Sequence, residues 1–209
     1  MRVLSASDFE AEICAFRVPV TEDVQEAVKK IVQQVKERGD AAVVELEARF
    51  GFRPRWLEVP PEAIEEAYRT VPERALHALR VAIGRVKEFH QRLPIPASTD
   101  VGLDGVQIGF RVRPLNRVGI YVPGGRATYP STVVMTAVPA RVAGVRELIM
   151  ATPPGPDGKP SPLVLVAASE CGVDRVFCCG GAQAIAAMAF GTETMPRVDK
   201  IVGPGNVYV

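Results

Sequence analysis

The regular alternation of short and longer apolar segments after residue 117 constrains the fold more than any other feature of this sequence. Four short segments have the length and composition of buried strands, at residues 118–122, 147–151, 175–179 and 200–202. Three segments of helical length separate them, at residues 131–142, 163–171 and 182–190. Strands and helices that alternate in this way form a parallel sheet with right-handed crossovers. We therefore predict an α/β fold, with helices in layers on both faces of a parallel sheet.

The first part of the chain has a different pattern, in which apolar residues recur at helical spacing. Helices are predicted at residues 22–38, 40–50, 61–67 and 72–91. Gly39 is expected to end the first of these helices, and Asp40 is positioned to cap the second. Residues 106–115 alternate between apolar and polar side chains, which predicts either one strand or the arm of an edge hairpin.

Glycines follow three of the four predicted strands, as Gly124-Gly125, Gly180-Gly181 and Gly203-Pro204-Gly205. Ligands of open α/β sheets bind at the carboxyl ends of the strands, where glycine lets the backbone approach a phosphate. Tight turns explain the same glycines, and both interpretations stay open. The fingerprint G-x-G-x-x-G is absent, and Thr152 stands where a ribose-binding carboxylate is expected. A nucleotide would therefore bind in another way than in standard Rossmann folds.

The chain carries few side chains suited to metal or nucleophilic chemistry. Its two histidines, His77 and His90, fall on opposite faces of one predicted helix. Its four cysteines show no C-x-x-C spacing, at Cys14, Cys171, Cys178 and Cys179. We predict no metal site and no catalytic residue in this chain. Arg126 is either a contact to a phosphate or carboxylate or a solvated side chain.

The charge balance excludes several classes of partner. Lys plus Arg (25) minus Asp plus Glu (24) gives +1, which argues against nucleic-acid and membrane-surface binding. The sequence contains neither a signal peptide nor an apolar run long enough to span a bilayer. We expect a cytoplasmic protein.

Several motifs, in order along the chain, resemble those of the histidinol dehydrogenase family. They are R-V-G-I-Y-V-P-G-G at 117–125, S-T-V-V-M at 131–135, G-G-A-Q-A-I-A-A at 180–187, A-F-G-T-E at 189–193 and V-D-K-I-V-G-P-G-N at 198–206. The resemblance implies the fold shared with aldehyde dehydrogenases, built from two incomplete Rossmann-like domains. On that basis we divide the chain into a lead segment (1–20), a mainly helical part of the first large domain (21–116) and a Rossmann-like NAD-side domain (117–209).

The resemblance also implies an activity. Members of this family are zinc-containing homodimers that oxidise L-histidinol to L-histidine in two NAD-dependent steps. The motifs place NAD contacts at Tyr121, Gln183 and Asn206. A tyrosine can stack on or hydrogen-bond to a cofactor, and the two amides offer donor and acceptor atoms. From the residues alone, strand packing, helix N-terminal hydrogen bonding and turn capping explain the three positions equally well.

Family chains are about twice as long as this one. Their zinc ligands, the Glu-His pair that transfers protons and their substrate-binding residues all lie beyond the position equivalent to Val209. We therefore expect the N-terminal half of an NAD-dependent histidinol dehydrogenase, truncated and inactive alone. The alternatives are a free-standing nucleotide-binding or assembly module and a non-functional remnant.

The topology gives a geometric expectation. The four strands should be ordered third, second, first, fourth, so that the first and fourth flank the point where ligands bind in such sheets. Tyr121 and Asn206 follow these two neighbouring strands and should lie close together. Gln183 follows the third strand and should lie roughly 10 Å further along the same edge, at about 4.8 Å per strand.

Overall fold

The computed structural model describes Ser5 and residues 21–94, 99–124 and 128–209, without the side chains of Thr99, Asp100 and Leu103. These residues form six helices and six strands. The helices are α1 (Glu22–Phe50), α2 (Pro61–Thr70), α3 (Glu73–Arg92), α4 (Pro130–Val142), α5 (Pro162–Glu170) and α6 (Gly181–Phe190). The strands are β1 (Thr99–Leu103), β2 (Val106–Phe110), β3 (Arg117–Tyr121), β4 (Glu147–Thr152), β5 (Arg175–Cys178) and β6 (Lys200–Val202).

The main sheet has four parallel strands in the order β5-β4-β3-β6. This is the predicted order of third, second, first and fourth strand, which is thereby confirmed. At the outer side of β5, residues 57–59 add a short antiparallel pairing through a bridge between Glu58 and Phe177. Two backbone bonds hold it, from the Val59 N–H to the Val176 carbonyl (2.8 Å) and from the Cys178 N–H to the Leu57 carbonyl (2.7 Å).

Strands β3, β4 and β5 bury both of their faces, and alternate residues of each strand point to opposite sides of the sheet. Ile120 and Met150 lie in one apolar core, with residues of α4 and α5. Tyr121, Ile149 and Phe177 lie in the other, with residues of α1 and α6. Helix α2 packs on α5, and α3 packs on α4. The predicted three-layer α/β/α class is confirmed, with the first three helices packed onto these layers.

Helix α1 contains the break that the sequence predicted. Gly39 has a φ of 53° and a non-helical conformation, so α1 is kinked there. The predicted cap differs from the structure, since the Asp40 N–H donates to the Glu193 carboxylate (2.7 Å) and Asp40 Oδ1 has no hydrogen-bond partner. A Cβ at position 39 would lie 2.1 Å from Glu193 Oε2, and glycine makes room for this distant capping group.

Strands β1 and β2 form an antiparallel hairpin. Its turn residues, Asp104 and Gly105, both have positive φ (48° and 82°), as a two-residue Asp-Gly hairpin turn requires. Residues 106–110 thus form the hairpin arm that the sequence offered as one alternative, and residues 111–115 lie outside the strand. Val106, Ile108 and Phe110 are each more than half exposed. None of the helices in the described ranges is long and apolar enough to cross a bilayer.

Candidate functional site

A cleft of about 550 Å³ opens at the carboxyl edge of the main sheet. It is lined by the three residues that the motifs predicted as NAD contacts, Tyr121, Gln183 and Asn206. The end of α1 contributes Glu47 and Phe50 to its wall. The volume lies within the range of small-molecule sites, and the position is the one at which open α/β sheets bind ligands.

Tyr121 is the last residue of β3 and is 5% exposed. Its hydroxyl accepts a hydrogen bond from the Gly181 N–H (3.0 Å), in the first turn of α6. Burial raises the pKa of the Tyr121 phenol against the opposing hydrogen bond from Gly181, and the nearby Glu47 carboxyl acts in the same direction as burial. The side chain is therefore a neutral group that joins β3 to the start of α6.

Gln183 lies in the first turn of α6 and is 4% exposed. Its Nε2 donates to Glu47 Oε1 (2.5 Å), and the same oxygen accepts the Gly180 N–H (2.8 Å). The sequence predicted Gln183 but missed Glu47, which is also 4% exposed. A signal was available, because Glu47 follows Val43 by one helical turn and so shares the buried face of α1.

Glu47 should give the stability of the protein a distinct pH dependence. Burial raises the pKa of this carboxyl above 4.5, although hydrogen bonds from Gly180 and Gln183 oppose the shift. The unfolded chain ionises first as the pH rises above 4.5, so the contribution of the neutral carboxyl is present below that value and is lost as the pH rises through the folded pKa. The thiol of Cys179 and the phenol of Tyr121 face this group and have raised pKa values, so both stay neutral.

We expect the free energy of unfolding of the unaltered chain, relative to that of Glu47→Gln, to fall as the pH increases above 4.5. Urea denaturation of both proteins across this range measures the difference. Glu45→Gln is the control, because Glu45 is an exposed residue of the same helix. A difference between the unaltered chain and Glu47→Gln that does not change with pH contradicts the expectation.

The glycines at the strand ends pack against a proline. A Cβ at Gly124 would lie 2.5 Å from Pro153 Cγ, and a Cβ at Gly180 would lie 2.7 Å from Pro153 Cβ. Pro153 follows β4, which lies between β3 and β5. These two glycines therefore leave room for Pro153, a role that neither the phosphate interpretation nor the tight-turn interpretation included.

The turn after β6 brings Asn206 to the cleft. Gly203 has a φ of 147°, and a Cβ there would lie 2.1 Å from the Tyr121 carbonyl oxygen. The chain therefore passes directly over the end of β3. Asn206 Oδ1 accepts the Tyr208 N–H (2.9 Å), so the residue also caps its turn. Turn capping and a place in the cleft are compatible at this position.

The remaining candidates lie elsewhere. In the described ranges, no three His, Cys, Asp or Glu side chains come together as a metal site would require. His77 and His90 lie on α3 and do not line the cleft. Arg126 and Cys14 fall outside the described residues. Cys171, Cys178 and Cys179 are buried free thiols, and burial raises their pKa values.

Comparisons with known proteins agree on one family. The sequence model of histidinol dehydrogenase matches residues 17–209. A histidinol dehydrogenase of Parasynechococcus marenigrum (strain WH8102) is 53% identical, over 90% of this chain and 43% of the relative. One of Nitrosomonas europaea is 46% identical, over 100% of this chain and 50% of the relative. A crystal structure of histidinol dehydrogenase from Elizabethkingia anophelis aligns with a TM-score of 0.84 and 33% identity, over 92% of this chain and 45% of that one. The chain spans about half the length of these relatives.

Proposed function

Since this chain belongs to the histidinol dehydrogenase family, we propose that it is the N-terminal, NAD-side half of an enzyme that oxidises L-histidinol to L-histidine in histidine biosynthesis. The observation that carries this proposal is the cleft at the carboxyl edge of the sheet, which Tyr121, Gln183 and Asn206 all line. We propose these three residues as the NAD contacts. Bound NAD supplies the hydride acceptor, and the residues of this chain bind and orient it.

The groups around the cleft suit a dinucleotide. Its wall is mainly apolar and includes Phe50, Phe52 and Ala182, and a few polar groups also line it. This combination is typical of cofactor sites, in which apolar surface supplies affinity and a few polar atoms set orientation. The residues present do not fit zinc, because the described part of the chain holds no cluster of three metal-ligating side chains. We assign zinc binding and proton transfer to the half of the family fold that this chain does not match.

The family resemblance also underlies our proposals for the domain boundaries, the location and the assembly of the enzyme. We propose residues 117–209 as the cofactor-side domain, residues 21–116 as part of the first large domain and residues 1–20 as a lead segment. The whole enzyme is proposed to be a cytoplasmic homodimer with L-histidinol as its substrate. Helices α2 and α3 pack directly on α5 and α4, so the two parts share a core.

Titration with NADH tests the proposed cofactor site. The two asparagines of the chain provide a matched pair, because Asn206 lines the cleft and Asn116 does not. Asn206→Ala should weaken NADH binding about two- to tenfold, the effect of one hydrogen bond. Asn116→Ala should leave the affinity unchanged. NADH fluorescence measures both. Absence of NADH binding to the unaltered chain, or equal effects of the two changes, would contradict the proposed site.

The isolated chain should also associate. Val81 and Phe89 on α3 are 40% and 60% exposed, and Met135 on α4 is 58% exposed. An almost entirely apolar groove runs between these two helices. Exposed apolar surface of this kind drives association, so we expect a dimer or a larger species by light scattering, and a shift toward monomer in Phe89→Glu. A monodisperse monomer at high protein concentration would contradict this expectation.

A further inference from the structure

Glu47 occupies a position that packing alone does not explain. It is the only charged residue among the buried side chains of the described ranges. Burial of an ionisable group is costly unless hydrogen bonds compensate it. Both of its compensating bonds go to the start of α6, at Gly180 and Gln183. The interactions of Glu47 therefore concern the wall of the cleft.

The first bond replaces a helix cap. Gly180 is the N-cap of α6, and Gln183 is three residues further along. In a capping box, the side chain at the position of Gln183 accepts the N–H of the N-cap residue. Here Glu47, which is 133 positions away, accepts the Gly180 N–H instead. The Gln183 carboxamide is thereby released from capping.

The second bond fixes the orientation of that carboxamide. Because its Nε2 donates to Glu47, the amide cannot exchange its two ends without losing the bond. Gln183 Oε1 lies over Gly181, 3.0 Å from the point where a Cβ of that residue would lie. A carboxyl and a carboxamide oxygen, both acceptors, thus stand at this end of the cleft.

The same arrangement occupies a place where phosphates commonly bind. The N-terminus of a helix attracts anions through its free N–H groups and its dipole. In α6 the Gly180 N–H is taken by Glu47 and the Gly181 N–H by the Tyr121 hydroxyl. A phosphate that used these two N–H groups would have to displace both partners and approach an acidic side chain.

We propose that Glu47 is a positioning residue of the cofactor cleft, which holds the Gln183 carboxamide in place and fills the anion position at the start of α6. The inference rests on the proposed function in that the ligand is NAD. It specifies that the dinucleotide meets this end of the cleft through hydroxyl or amide donors, and that its phosphates lie elsewhere. The end of β4 carries Thr152 where a ribose-binding carboxylate is usual. In this cleft the carboxyl group comes instead from Glu47 of α1.

Two titrations of Glu47→Gln test the inference, with Glu45→Gln as the control of identical chemistry on the exposed side of α1. The first measures NADH affinity by fluorescence. The glutamine keeps the shape and can accept both bonds through its own Oε1, but it has no charge and can turn its NH2 toward them, so it holds the Gln183 carboxamide less firmly. We expect binding to weaken about three- to tenfold. The second follows the amide resonances of Gly180 and Gly181 during addition of inorganic phosphate. We expect phosphate-dependent shifts in Glu47→Gln and none in the unaltered chain.

A merely structural role predicts a different result, because the substitution preserves volume and would leave both titrations like those of Glu45→Gln. That result, or an absence of phosphate shifts alone, overturns the inference. If Glu47→Gln does not fold, Glu47→Asp replaces it. Its retained charge should still exclude phosphate while its shorter side chain weakens NADH binding, and phosphate shifts in this variant overturn the inference. If the unaltered chain binds no NADH, the proposed function fails, and the phosphate titration alone decides the role of Glu47.

Discussion

Incubation of the purified chain with NAD, L-histidinol and zinc is expected to produce no NADH above background. The described residues bring together no metal-ligating cluster, and no histidine lines the cleft. Metal-assisted chemistry and proton transfer need such groups within coordination or hydrogen-bond reach of the substrate. Without these groups, bound NAD would accept no hydride, because the alcohol would not be activated for its release. We therefore expect the chain to bind NADH and yet to show no turnover.

The measurement is the absorbance of NADH over time. A full-length relative, such as the histidinol dehydrogenase of Nitrosomonas europaea, assayed in the same buffer, shows that the substrate and the zinc are competent. Steady NADH formation from a homogeneous sample of this chain, abolished by a chelator, would show that residues of this half suffice for catalysis. It would also refute our assignment of the catalytic groups to the other half of the family fold.

The second large effect is expected from Gly203→Ala. The added Cβ would lie 2.1 Å from the carbonyl oxygen and 2.9 Å from the carbonyl carbon of Tyr121, and both are backbone atoms that cannot turn aside. The φ of 147° adds strain for any residue with a side chain. Together these effects should lower the free energy of unfolding by about 3 kcal/mol. The displaced turn should also move Asn206 out of the cleft and weaken NADH binding at least as much as Asn206→Ala does.

Gly84→Ala is the matched control for this change. Gly84 lies within α3, and a Cβ there meets nothing within 4 Å. The same methyl group should therefore raise the free energy of unfolding by about 0.5–1 kcal/mol, because alanine favours the helix. Urea denaturation compares the two variants, and NADH fluorescence reports on the cleft. Equal stability of Gly203→Ala and the unaltered chain would mean that the turn relaxes without cost.

The sheet could be predicted from the sequence because its signals are local. Each strand is a short apolar run between turn residues, and the connections around the sheet have a fixed hand. Right-handed crossovers allow more than one strand order. The order with the first and fourth strands side by side is that of the usual doubly wound arrangement, and it places Tyr121 and Asn206 at the same edge. The break at Gly39 was also predictable, because glycine within a helical pattern marks a conformation that other residues avoid.

The details of the site were not predictable, because they depend on contacts between residues distant in sequence. Glu47 meets Gly180 only when α1 lies against α6, and Pro153 meets Gly124 and Gly180 only in the folded sheet. The cap of Asp40 comes from Glu193 for the same reason. In a single sequence, such partners are indistinguishable from any other polar or small residue.

The antiparallel pairing of residues 57–59 with β5 has a consequence for how the sheet can grow. That pairing uses the backbone groups of Val176 and Cys178 on the outer side of β5. On the opposite side the described part of the sheet ends at β6, which has three residues and pairs with β3. A strand edge with unpaired backbone groups is a template for another strand. Additional strands, whether from the rest of a longer chain or from a neighbouring molecule, should therefore join next to Ile201, and a charged or proline substitution along β6 should suppress fibrous association through this sheet.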